Sequence, residues 1–264
     1  VAFTIRIGLK FMLVAERYAK IIRLVNERGS IRVSELSELC GVTEETIRRD
    51  LDRLEQTGKL ERSHGGAMSV KDAQAEIPYF EREVMNAAEK KRIAAEAVGQ
   101  IEPYSKIALD ASTTAYYMAA ELPNIPLTVL TNSIKVALEL AGKEKIQVFS
   151  TGGILSPRSL SYQGPLAESN LEQYHVNKAF ISGKGIHPER GISESSELQA
   201  AVKRKMIGLA DEVYLLVDYS KFGVRAFSHI ADCEQIDHLI TDDRADPEVL
   251  RILTGQGIKV TISH

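Results

Sequence analysis

Apolar residues at Ala19, Ile22 and Val25, with Ile21 and Leu24 beside them, predict a first helix from Glu16 to Arg28 that Gly29 stops. Ser34 is placed to cap a short second helix carrying Leu36, Leu39 and Cys40. Gly41 breaks that helix where a tight turn needs positive φ. Thr43 caps a third helix reaching Gln56, with Ile47, Leu51 and Leu54 as its inward stripe and Thr46, Arg48, Arg49 and Arg53 largely off it. Gly58 ends the third helix, and residues 60–70 read as a two-stranded wing turning at Gly65 and Gly66. Helix, short helix, glycine turn, helix and hairpin in this order predict a winged helix-turn-helix over residues 12–70.

After residues 71–88, which have no steady period and include Pro78, the pattern changes. From Glu89 onward short apolar runs alternate with amphipathic helices. The strand-like runs are Ile107 to Leu109, Leu127 to Leu130, Gln147 to Phe149, Ala179 to Ile181, Val213 to Val217, His238 to Ile240 and Lys259 to Ile262. Such alternation predicts a mainly parallel, Rossmann-like α/β sheet covered on both faces across residues 89–264, with residues 71–88 as the linker.

Composition narrows the setting. The chain is 44% hydrophobic and 26% charged, and no stretch reaches the ~20 apolar residues of a membrane span, so no membrane partner is expected. Cys40 and Cys233 lie far apart with no ligand spacing around them, which suggests neither a disulfide framework nor a zinc site and fits a reducing cytoplasm. Residues 1–11 lack the pattern of a secretory signal and read as an upstream extension. Net charge is -3, and the bases of residues 12–70 are matched one for one by acids, so any affinity for nucleic acid depends on where charges sit.

A helix fits the major groove, where Arg48 and Arg49 could pair with guanine or grip phosphate, with Thr46 beside them. Arg62 and His64 on the wing would reach the neighbouring backbone. Two adjacent arginines alone are more often a solvated helix face; the helix order and the wing tip the reading toward double-stranded DNA.

In the second half, ligands of a parallel sheet bind at the carboxyl ends of its strands. Five of those ends are small and polar: Asp110 to Thr114, Thr131-Asn132-Ser133, residues 150–153 with Gly152-Gly153, residues 182–185 with Gly183-Lys184, and Asp218 to Lys221. Hydroxyls and free N–H groups at a helix N-terminus favour an anion, and Ser112, Thr113 and Thr114 are the first choice for phosphate. Lys221 and Arg158 supply positive charge, and Asp110, Asn132 and Asp218 could bond sugar hydroxyls. Each loop alone could be bland, since Ser and Thr cap helices and glycine makes turns. Five converging on one edge are harder to dismiss. The glycines form no G-x-G-x-x-G fingerprint and the histidines no metal spacing, so no cofactor or metal is expected.

Glu16-Arg17, Gly41-Val42-Thr43, Thr46 to Leu51 and Arg62 to Ala67 together resemble the signature of DeoR-type bacterial regulators of sugar metabolism. The resemblance extends through Leu109 to Thr114, Val129 to Ser133, Gly152-Gly153, Arg158, Gln163-Gly164-Pro165, Lys203 to Met206 and Asp218 to Gly223. It implies that Thr46 to Asp50 belong to the recognition helix, with Asp50 holding an arginine in place. It also implies a sensor domain similar to ribose-5-phosphate isomerase, hence a phosphorylated sugar as effector, and repression of sugar catabolism or transport genes. A single small winged helix buries too little surface for strong specific binding, so a homo-oligomer, dimer or tetramer, on operator half-sites is expected. Ala111-Ser112 and Lys184 depart from the family pattern. An isomerase-like enzyme carrying a DNA-binding module, drafting Asp110, Asp218, Lys221, Glu194 or Glu197, is the rival reading. A pure oligomerisation platform is the third.

Overall fold

A computed structural model describes residues 14–28, 30–63, 65–68 and 76–264. The chain divides into two compact units, residues 1–75 and 76–264. The expected extension at 1–11, Gly29, His64 and residues 71–75 lie outside the described residues.

The first unit contains α1 (Val14–Arg28), β1 (Ser30–Arg32), α2 (Val33–Cys40), α3 (Glu44–Gln56), β2 (Glu61–Ser63) and β3 (Gly66–Met68). Ile21, Val25, Leu36, Ile47, Leu51 and Leu60 are buried together, each contributing roughly 1.5–3 kcal/mol of transfer free energy; in α1 the buried side runs through Ile21, Leu24 and Val25, while Ala19, expected on the stripe, is exposed and Ile22 half-buried. Cys40 joins this cluster as a small apolar side chain. Gly41 adopts the left-handed conformation at φ 66°, and Thr43 caps α3 by accepting from the Thr46 N–H.

Two features depart from the expectation. The wing has a third strand, because β1 pairs with β3 in the order β1-β3-β2. Gly66 makes this possible: a Cβ there would lie 2.2 Å from the Ile31 carbonyl oxygen. Ser34 does not cap α2. The helix starts at Val33, whose N–H donates to the Gly65 carbonyl at 2.8 Å, so the wing supplies the cap through its backbone.

The second unit is built on β4 (Lys106–Leu109), β5 (Leu127–Thr131), β6 (Ile146–Ser150), the β7–β8 hairpin (Ile154–Ser156 and Ser161–Gln163), β9 (Val176–Ile181), β10 (Gly185–His187), β11 (Gly191–Glu194), β12 (Ala210–Leu216), β13 (Ser228–Ala231), β14 (His238–Asp242) and β15 (Lys259–Ser263). Its helices are α4 (Tyr79–Val84), α5 (Ala87–Val98), α6 (Thr113–Glu121), α7 (Ile134–Leu140), α8 (Pro165–Leu171), α9 (Glu197–Gly208) and α10 (Pro247–Gly255). Each of the seven apolar runs is a strand of one parallel sheet, ordered β15-β14-β12-β9-β4-β5-β6. Alternate side chains feed opposite layers: Ala179, Ile181 and Leu215 pack in one cluster, Phe180, Tyr214 and Leu216 in the other.

Residues 76–88, expected to be linker, belong to this unit. Tyr79 is buried, and its N–H donates to the Arg158 carbonyl at 2.8 Å, so α4 is pinned onto the turn of the β7–β8 hairpin. The segment is too short to show a period, which is why it reads as connecting chain. Among the described residues no helix is long and apolar enough to cross a membrane.

Candidate functional site

In the first unit, Ile47, Asp50, Leu51 and Leu54 form the buried stripe of α3 and leave its opposite face outward. That face carries Arg48 and Arg49, each paired one turn back, Arg48 with Glu44 at 2.6 Å and Arg49 with Glu45 at 3.2 Å. Both arginines are exposed, and such pairs in water hold their partners weakly. Thr46 is half-buried, its hydroxyl 2.9 Å from that of Thr43. Arg62 on β2 lies 3.3 Å from Asp52, and its N–H donates to Glu55 at 2.9 Å, which ties the wing to α3. His64 lies outside the described residues.

Asp50 is buried and meets Arg17 of α1 at 2.5 and 3.1 Å, a bidentate pair. Hydrogen bonding to Asp50, opposed by burial, raises Arg17 above the ordinary arginine range. The carboxylate therefore fixes α3 against α1 from inside.

In the second unit the five polar strand ends belong to adjacent strands, β12, β9, β4, β5 and β6, and share one edge. They do not share one cavity. The chain runs from β4 outward to β5 and β6, then crosses back to β9 on the other side of β4, so the strand order reverses between β4 and β9. A pocket opens at this switch point. It is lined by Ser112, Thr113 and Thr114 after β4, by Gly183 and Lys184 after β9, and by Asp218 and Lys221 after β12.

The ends of β5 and β6 are covered by the chain itself. Thr131 accepts from the Ser133 N–H, Ser133 caps α7, and Asn132 exchanges hydrogen bonds with Tyr162 on β8. A Cβ on Gly153 would meet the Gln163 carbonyl at 2.9 Å, so the β7–β8 hairpin lies directly against this loop; Gly152 beside it has φ 62°. Arg158, on the hairpin turn, donates to the Glu76 carbonyl. Thr131, Asn132, Ser133, Gly152, Gly153 and Arg158 are thus absent from the pocket lining, contrary to expectation. Asp110, too, is absent from the lining. It is fully buried, accepts from the N–H groups of Ser112 and Ser182 at 2.9 Å each, and meets Lys203 at 3.1 Å, so both oxygens are engaged beneath the pocket.

The pocket has walls that the pattern of polar strand ends does not reveal. Glu76, Arg82, Asn86 and Lys90 come from α4, α5 and the preceding chain, and Glu194 and Lys203 from β11 and α9. Lys90 and Lys203 each stand on the buried stripe of an amphipathic helix, Lys90 with Ile93, Ala94 and Ala97, Lys203 with Gln199, Ala200, Met206 and Ile207. A lysine on an apolar stripe is the signal that identifies them.

Lys203 donates to the Ser182 carbonyl at 2.7 Å and meets Glu194 at 2.9 Å as well as Asp110. Burial alone would lower Lys203, but Asp110 and Glu194 override it and raise it above the lysine range. Burial would lift Glu194, but Lys203 brings it below the ordinary carboxylate range. Burial, and then the Lys221 ammonium, push Lys90 down to about 8. Asn86, in the left-handed region at φ 50°, donates to Asp218 at 2.8 Å and so ties the start of α5 to the loop after β12.

Ser112 caps α6, accepting from the Ala115 N–H at 3.0 Å, and leaves the first-turn N–H groups of Thr113 and Thr114 at the pocket. Arg82 contributes a buried guanidinium nitrogen without a hydrogen-bond partner, 3.7 Å from Glu76. Helix donors and crowded cations together favour an anion.

Residues 17–73 match the DeoR-like helix-turn-helix domain, and residues 85–243 match the DeoR C terminal sensor domain. The HTH-type transcriptional regulator YulB of Bacillus subtilis (strain 168) is 55% identical over 95% of this chain and 97% of its own length. The L-fucose operon activator of Haemophilus influenzae is 38% identical over 88% of this chain and 92% of its own. The putative aga operon transcriptional repressor of Escherichia coli O157:H7 is 33% identical over 94% and 93%. Ribose 5-phosphate isomerase A of Methanocaldococcus jannaschii shares a partial likeness of fold, at TM-score 0.39 and 19% identity over 52% of this chain and 55% of its own, which says nothing of chemistry. With a helix-turn-helix module and a sensor domain matched in order along its length, the chain belongs to the DeoR family of transcriptional regulators.

Proposed function

We propose that the protein is a cytoplasmic regulator that binds operator DNA through α3 and its wing as a homo-oligomer, and that a phosphorylated sugar in the switch-point pocket controls it. One observation carries the effector reading: the α6 N-terminus opens onto a pocket where Lys90, Lys221 and Arg82 crowd together. A phosphate dianion would relieve that crowding, while Asp218 and Glu194 stand within the same lining for sugar hydroxyls. Relatives carry the names of both an activator and a repressor; repression relieved by the sugar phosphate is the direction proposed here.

The isomerase reading is weaker. Of its candidate bases, Asp110 and Glu194 are bound to Lys203, and Glu194 is held below the ordinary carboxylate range, the opposite of what a general base at neutral pH needs. The test is retention of the DNA upstream of its own gene, titrated with a panel of sugar phosphates at fixed salt. A specific complex altered by one compound without turnover supports the proposal; turnover of that compound without specific retention overturns it.

Three further outcomes are expected. Arg48→Ala with Arg49→Ala should weaken specific DNA binding at least about tenfold while effector binding, measured calorimetrically, stays unchanged. Loss of both would mean the arginines serve folding instead.

Effector affinity should fall as pH rises through about 8, because Lys90 then loses the charge that a dianion favours. The limiting slope is about tenfold per pH unit, one proton being linked to binding. The sign for the free protein is opposite: above pH 8 the unfolded chain holds a proton that the folded one has released, so stability rises. Calorimetry at pH 7, 8 and 9 on the wild type and Lys90→Gln checks this, and a slope that survives in Lys90→Gln would assign it to another group. Lys221→Ala should remove the response to effector and leave operator binding intact.

A further inference from the structure

The outward face of α3 carries more acid than a surface meeting a polyanion calls for. Glu45 and Arg49 stand near the centre of that face, opposite Ile47, Asp50, Leu51 and Leu54, with side chains 62% and 74% exposed. Glu44 and Arg48 repeat the pairing on one flank. A carboxylate among phosphates weakens binding to every sequence equally, unless it finds a donor on a base.

Glu45 lies in the first turn of α3, the part of a recognition helix whose side chains reach base edges. An ionised glutamate only accepts hydrogen bonds, and the donor it matches in the major groove is the cytosine N4 amino group. Arg49 matches guanine O6 and N7. Four residues advance about 6 Å along the helix, but the side-chain tips meet at 3.2 Å, close to one base-pair step of about 3.4 Å, so the tips are spaced for adjacent base pairs.

We propose that Glu45 is a specificity-determining residue, selecting cytosine at one operator base pair by accepting from N4 and steering Arg49 onto the guanine of an adjacent pair. The proposal rests on operator binding through α3, as read above. The 3.2 Å contact sets the two side chains side by side; it is weak in water and strengthens once the groove excludes solvent around both. Guanine and thymine offer the carboxylate no donor, and adenine sets its N6 amino group beside the N7 lone pair, which repels it, so Glu45 discriminates by penalty as well as by contact.

Selection from a random duplex pool at fixed salt, with the full chain as wild type, Glu45→Ala and Glu45→Gln, tests this. The wild type should enrich cytosine at one position by roughly tenfold or more over other bases. Glu45→Ala should lose that preference, keep the rest of the site and bind random DNA more tightly. Glu45→Gln should shift the preference toward adenine, which glutamine reads through N6 and N7. Retention of the remaining site in both variants reports that they are folded. If both variants enrich the same sequence as the wild type, Glu45 is not a determinant and the proposal falls. If the wild type itself enriches no sequence, operator binding fails and this proposal with it.

Discussion

Replacing Lys203 with methionine should destabilise the second unit by about 3–5 kcal/mol at pH 7.5, among the largest effects of any single change in the chain. Lys203 is the cation between Asp110 and Glu194, at 3.1 and 2.9 Å, and all three side chains are shielded from water. Removing it leaves two carboxylates facing each other without a counter-charge. Two consequences follow from the chemistry. The loss should shrink toward pH 5, because an unpaired buried carboxylate takes up a proton more readily. The triple variant with Asp110→Asn and Glu194→Gln should recover much of the stability, since charge and desolvation are then removed together.

Denaturant unfolding followed by tyrosine fluorescence suits the measurement, because the chain has no tryptophan and every tyrosine except Tyr18 lies in the second unit. A loss below about 1 kcal/mol at pH 7.5 would mean that water or another group takes the place of the ammonium. The pocket should fail along with the triad. Asp110 holds the N–H groups of Ser112 and Ser182, and therefore the entries to two of the loops around the proposed effector.

Asp50→Ala should be nearly as damaging in the first unit, at about 3–5 kcal/mol, because it leaves the Arg17 guanidinium buried without its bidentate partner. A domain of this size has a small core, so a loss on that scale removes most of its stability and with it operator binding. Asp50→Leu combined with Arg17→Met should restore the fold, and DNA binding should return with it, because neither side chain is on the outward face of α3. Hydrogen exchange at the amides of α3 separates unfolding from a direct role in DNA contact. Protection retained in Asp50→Ala alongside lost binding would show that Asp50 itself touches DNA.

Much of the architecture was legible from periodicity. Every apolar run of the second half is a strand of the parallel sheet, and the stripe of Ile47, Leu51 and Leu54 is the buried side of α3. Thr43 and Gly41 act at the two ends of the turn as their chemistry requires. These are local properties: a side chain's place on a helix or strand follows from spacing alone, and caps and turns from one or two residues.

What only the tertiary structure decided is which of the polar strand ends remain open and which charges are buried together. The ends of β5 and β6 look as suited to a ligand as the end of β4, yet the hairpin carrying Tyr162 and Gln163 closes over them. Arg17 finds Asp50 across 33 positions, and Lys203 finds Asp110 across the whole crossover from β4 to α9. Sequence alone determined the two-domain regulator, the third helix with its outward arginines and the strand edge at which the pocket opens. The pocket's walls include Arg82 and Asn86 from a segment that reads as a linker and Lys90 from the helix that follows it, because cover and charge pairing depend on segments distant in the chain, and periodicity carries no record of them.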